Sequence, residues 1–85
     1  MAEVILGLKV MPKDLNVNLD QLEQAIKSEV NPERIQRQPI AFGLVALLIT
    51  VIVQDAEGEV DRIENKLKSI ESVGEVEVTG LTGSL

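Results

Sequence analysis

The side chains that could do chemistry in this chain are few, and the usual machinery of catalysis is missing. Histidine and cysteine are both absent, which removes the common general base, the thiol nucleophile and the main transition-metal ligands. Three groups remain. Asp55, Glu57, Glu59 and Asp61 crowd one short stretch and could hold a divalent ion, although carboxylates at the start of a helix also complement its dipole, the commoner use. Arg34 and Arg37 flank Ile35 and suit either a solvated sheet edge or contact with an acidic or phosphate-bearing partner. Phe42 is the only aromatic residue. It stands between a proline and a glycine, where it either caps the end of a core or faces outward from a loop. No Gly-rich phosphate cradle, nucleophile elbow or metal-ligand spacing occurs, so the expectation is no active site, no cofactor and no metal.

Charge narrows the partners. A net charge of −6 over 85 residues opposes an electrostatic grip on phosphate backbones, so direct nucleic-acid binding is not expected. The same charge suits docking on a basic surface, or plain solubility. The apolar run 40–53 falls short of the roughly 20 residues a membrane-crossing helix needs. Met1-Ala-Glu-Val lacks the basic start of a secretion signal, which together with the absence of cysteine predicts a cytoplasmic protein with no membrane contact.

Around these residues the pattern predicts six elements. Val4, Leu6, Leu8 and Val10 recur at every second position, a strand that Met11-Pro12 is expected to end. Asn18 is placed to cap a helix with Gln21 three residues on, and Leu19, Leu22, Ala25, Ile26 and Val30 form its buried stripe. Asn31-Pro32 stops it. Arg34 to Gln38, followed by Pro39, reads as an edge strand. Leu44 to Val53 is apolar on both faces and rich in β-branched residues, the signature of a strand in the middle of a sheet. Asp55 then caps a second helix with Val60, Ile63, Leu67 and Ile70 inward and Glu64 pairing Lys68. Glu75 to Thr79 alternates into a last strand with Val76 and Val78 inward, and Gly80 to Leu85 reads as a small, flexible tail.

Strand, helix, strand, strand, helix, strand in one short chain predicts an α+β, ferredoxin-like βαββαβ sandwich: a four-stranded antiparallel sheet with two helices on one face, the first and third strands central. One domain is expected over residues 1–85. An RNA-recognition domain shares this topology but stacks bases on sheet aromatics, which neither central strand has. A ferredoxin-like small-molecule-binding regulatory domain needs no catalytic residue and stands as the alternative, with a simple assembly module behind it.

Three motifs go further: Val10-Met11-Pro12 with Asp14, Pro39-Ile40-Ala41-Phe42-Gly43-Leu44, and Val53-Gln54-Asp55-Ala56-Glu57-Gly58. With them the chain resembles the archaeal elongation factor 1-beta family, which matches the nucleotide-exchange domain of the eukaryotic elongation factor 1-beta subunits. The middle motif is the specific one. The resemblance implies a guanine-nucleotide exchange domain that releases GDP from the GTPase elongation factor 1-alpha so that GTP can bind, without covalent chemistry or a cofactor of its own. It also implies partner-binding roles for Pro39, Ile40, Ala41, Phe42 and Gly43, with Phe42 inserted into a pocket of the GTPase. The C-terminal tail, Ser84 and Leu85, would act beside this loop at one end of the molecule. Eukaryotic members end in Lys-Leu, and that lysine reaches the magnesium site; Ser84 carries no such charge. Displacement of the ion would then fall to distortion of the GTPase through Phe42 and its neighbours, or to Arg37 reaching in from the edge strand.

Overall fold

Alternating apolar residues from Val4 to Pro12 and a β-branched run from Val45 to Val53 give two strands that bury the same kind of face, and they pair in the centre of the sheet. The computed structural model describes residues 3–54 and 56–83. Its elements are β1 (Val4–Pro12), α1 (Leu19–Val30), β2 (Arg34–Pro39), a short 3-10 turn (Ala41–Gly43), β3 (Val45–Val53), α2 (Ala56–Lys68) and β4 (Val73–Gly83). The strands lie in the order β2-β3-β1-β4, every neighbour antiparallel. This is the ferredoxin-like βαββαβ arrangement expected from the sequence, with β2 and β4 at the edges.

The register explains the core. Leu6 faces Val51, Leu8 faces Ile49 and Val10 faces Leu47, so one sheet face is a continuous aliphatic surface. Leu22 and Ile26 of α1 and Ile63 and Leu67 of α2 close on it, all buried. Removal of each such side chain from water contributes about 1.5–3 kcal/mol. Both helices cover this one face. The opposite face is open, and its paired Ile5 and Ile52 remain partly exposed.

Local signals hold the helices in place. Asn18 Oδ1 accepts a hydrogen bond from Gln21 N at 3.1 Å, and Asn31 closes α1 in the left-handed region (φ 48°) with its N–H on Lys27 O. Glu64 and Lys68 pair across a turn of α2 at 3.8 Å. The expected cap at Asp55 lies outside the described residues.

One boundary holds and another is corrected. Strand β1 ends at Met11-Pro12 as expected, with Pro12 its last residue, facing Val73 after a register shift. Of the residues read as a flexible tail, Ser84 and Leu85 lie outside the described residues, and those from Gly80 to Gly83 instead extend β4: Gly80 faces Gly7, Leu81 faces Leu6 and Gly83 faces Val4. The ladder steps from Leu8–Val78 to Gly7–Gly80, so Thr79 is an extra residue, a β-bulge that resets the alternation. The first half of β1 carries backbone donors and acceptors that need partners, and these residues supply them. Val76 packs against the core, whereas Val78 on the same edge strand stays about one-third exposed, at 37%.

Candidate functional site

At the end of the sheet where β1 finishes and β3 begins, two loops come together. The first joins β2 to β3. Pro39 faces Val45 across the ladder, and the backbone between them is closed tightly, Ile40 N donating to Leu44 O at 2.8 Å and Leu44 N to Ala41 O at 3.2 Å. Such a tight connection forces two residues to positive φ. Gly43 takes φ 79° at no steric cost, but Phe42 takes φ 61° and ψ 31°, a conformation that costs a residue with a Cβ about 1–2 kcal/mol. Its ring is 92% exposed. Of the two directions open to Phe42 from the sequence, the structure shows the outward one: it points away from the protein.

The second loop joins β1 to α1. Asp14 Oδ1 accepts from Asn16 N at 2.9 Å, an Asx turn that carries Leu15 outward at 64% exposure. A Cβ built on Gly43 would sit 3.6 Å from Leu15 Cδ2, so Leu15 lies over the residue next to Phe42. Between the loops is a hollow of about 40 Å³ whose lining includes Pro12, Leu15, Val17, Gly43 and Leu44. Leu15 was not singled out by the sequence pattern. Its signal was a lone leucine in the polar turn Lys13-Asp14-Leu15-Asn16.

The two arginines part company. Residue 34 faces Thr50 and residue 37 faces Leu47, so they point to opposite faces of the sheet and form no common patch. Arg37 lies on the helix-covered face, where its Nε donates to Glu23 Oε2 at 2.7 Å and its Nη2 to Asp20 Oδ1 at 2.6 Å. Those hydrogen bonds, Glu23 first and Asp20 second, raise the pKa of a guanidinium that is already fully protonated. Arg37 thus ties edge strand β2 to the first turns of α1.

Ser84 and Leu85 lie outside the described residues, but Gly83 faces Val4, at the end of β1 opposite to Pro12. At the antiparallel rise of roughly 3.4 Å per residue the nine residues of β1 separate these ends by about 27 Å. The Phe42 loop and Gly83 therefore stand at opposite ends of the sheet, because β4 runs the whole length of β1 instead of stopping at Thr79.

The rest of the surface offers little reactive chemistry. Among the described residues no polar or charged side chain is buried, and no group of three or more acidic residues is placed to hold a metal. The Glu59 carboxylate is engaged by Arg62 within α2. Among the described residues no helix is long and apolar enough to cross a membrane. What this arrangement offers a partner is shape: an aromatic side chain held out by a tight loop, with a second apolar side chain beside it.

Comparison with known proteins shows the family and the fold. Residues 5–82 match the family described as the EF-1 guanine nucleotide exchange domain. The chain is 46% identical over 77 residues to elongation factor 1-beta of Pyrococcus abyssi, covering 84% of each chain. It is 43% identical over 84 residues to elongation factor 1-beta of Methanothermobacter thermautotrophicus, 93% of each. To elongation factor 1-beta of Thermoplasma acidophilum it is 39% identical over 80 residues, 89% of this chain and 91% of its relative. Among solved structures it is similar to the solution NMR structure of the ACT domain from GTP pyrophosphokinase of Chlorobium tepidum, with a TM-score of 0.71 over 92% of this chain and 88% of that one. At 18% identity that likeness concerns the fold alone.

Proposed function

Because this chain belongs to the EF-1 guanine nucleotide exchange domain family, we propose that it promotes exchange of GDP for GTP on the elongation factor 1-alpha GTPase, with residues 1–85 acting as one exchange domain. The observation that carries the anchoring role is Phe42: the only aromatic residue, 92% exposed, in a backbone conformation that opposes it. Strain of this kind persists where the surroundings impose it, and it concentrates at binding loops. A buried aromatic anchor typically contributes about 2 kcal/mol or more at the centre of an interface. Pro39 and Gly43 set the loop's two ends, and Ile40 and Ala41 carry the backbone groups that close it.

Exchange in this reading is differential binding, with no covalent step and no cofactor. A factor that holds the nucleotide-free GTPase more tightly than the loaded one lowers nucleotide affinity by the same free energy with which nucleotide expels the factor. In this reading the protein works in translation elongation, in the cytoplasm. Neither a membrane nor a direct nucleic-acid contact enters it.

The separation of the Phe42 loop from Gly83 shapes the mechanism. A single nucleotide pocket does not admit both ends of a sheet about 27 Å long, so the loop and the tail, Ser84 and Leu85, contact the GTPase at two separate places. With no lysine at position 84, displacement of magnesium proceeds through distortion of the GTPase by the anchored loop. Arg37 serves that loop by fixing β2 against α1; a direct reach into the GTPase requires its two ion pairs to open.

Equilibrium binding tests the reading. The protein is expected to bind nucleotide-free elongation factor 1-alpha at least tenfold more tightly than the GDP-loaded form, and Phe42→Ala is expected to remove most of that preference. Equal affinity for the two forms would contradict exchange activity.

A further inference from the structure

We propose that Leu15 is a second apolar anchor, entering the same partner surface as Phe42. The inference rests on the exchange-factor reading and adds to it a contact on a different loop. Leu15 is 64% exposed, and with Pro12, Val17 and Leu44 it lines the hollow of about 40 Å³ between the two loops. The Asx turn from Asp14 to Asn16 fixes the backbone that presents it. The contact of Leu15 Cδ2 with the Gly43 position sets it beside the strained residue, on the side of the loop facing α1.

Two apolar side chains on separate rigid loops, meeting over a glycine, make a better anchor than either alone. The aromatic fills a pocket, and the neighbour excludes water from its rim, the arrangement in which anchoring contacts reach their full strength. Both loops have short hydrogen-bonded backbones, so little ordering cost is added on docking. The partner surface that fits is an apolar cleft on the GTPase with two adjoining depressions, one for an aromatic ring and a shallower one for a branched aliphatic chain. Of the charges on the same loop, Lys13 lines the neighbouring groove and Asp14 lines both that groove and the hollow beside Leu15.

The test is nucleotide release from elongation factor 1-alpha driven by the full chain and by Leu15→Ser, Leu15→Met, Phe42→Leu and the Leu15→Ser/Phe42→Leu double variant, with thermal unfolding of each. Leu15→Ser is expected to lower exchange efficiency by about tenfold with an unfolding temperature close to that of the parent, and Leu15→Met to restore most of it. The loss is expected to persist in the Phe42→Leu background, because Leu15 makes its own contact. Unchanged exchange by Leu15→Ser overturns the inference and leaves the function standing. A loss that vanishes in the Phe42→Leu background also overturns it, since Leu15 would then only position the Phe42 loop. No acceleration by the parent protein overturns the exchange-factor reading, and this inference with it.

Discussion

At Phe42 two unfavourable terms coincide, an exposed aromatic ring and a left-handed backbone, and neither serves the fold. Replacing Phe42 by Ala keeps the backbone cost and removes a side chain that touches little of the protein, so unfolding free energy is expected to change by less than about 0.5 kcal/mol. Phe42→Gly removes the backbone cost of about 1–2 kcal/mol against an added chain entropy of about 0.5–1 kcal/mol. Its midpoint in denaturant is expected to equal or exceed the parent's while exchange is lost. A clear drop in stability for either variant would show that the ring packs on the protein. Gly43 behaves in the opposite sense. A Cβ there meets only Leu15 Cδ2 at 3.6 Å, so Gly43→Ala costs the backbone strain alone, about 1–2 kcal/mol by denaturation. Sequence reasoning located Phe42 by its flanking proline and glycine, yet left its direction open, because exposure of one side chain has no periodicity to read. Leu15 escaped for a related reason: it belongs to no repeating pattern, and its contact with Gly43 joins residues far apart in the chain.

Elements were legible where a period was sustained. The alternation in β1, the aliphatic run of β3 and the stripes of α1 and α2 each named their buried residues, and the Asn18 cap was visible from its side chain and position. Replacing Asn18 by Ala leaves the amide of Gln21 without its partner and is expected to cost about 1 kcal/mol in urea or thermal unfolding; an unchanged midpoint would assign the start of α1 to tertiary packing. The end of β4 was illegible because Thr79 shifts the phase and Gly80-Leu-Thr-Gly has little strand propensity of its own. Pairing there is imposed by β1. Gly74, near the other end of β4, shows how close that pairing is: a Cβ would lie 2.9 Å from Lys13 Cα and 3.0 Å from Pro12 O. Because backbone yields little, Gly74→Ala is expected to destabilise by about 1–3 kcal/mol, more than Gly43→Ala if the strands separate. The clamp of Arg37 on Asp20 and Glu23 was also beyond the sequence, since it depends on how α1 crosses β2. Arg37→Ala is expected to lower the unfolding temperature modestly, by less as salt is added.

Over the whole molecule the governing fact is the full-length pairing of β1 with β4, which sets Gly83 at the end of the sheet away from the Phe42 loop. Contacts made at opposite ends of a rigid sheet are energetically independent. Deleting Ser84 and Leu85 and replacing Phe42 by Ala should therefore have additive effects on the logarithm of exchange efficiency, and strong coupling between them would contradict the two-site arrangement. The net charge of −6 predicts slower association with the GTPase as salt rises, if a basic surface receives this domain. The central claim, that the Phe42 loop is the anchor of a nucleotide-exchange surface, is most directly tested by the release rate of a fluorescent GDP analogue from elongation factor 1-alpha, alone, with this protein, and with its folded Phe42→Ala variant. Catalytic acceleration by the parent that falls by at least about thirtyfold in the variant, as loss of 2 kcal/mol or more requires, is the predicted result. Acceleration that survives the substitution unchanged would contradict it.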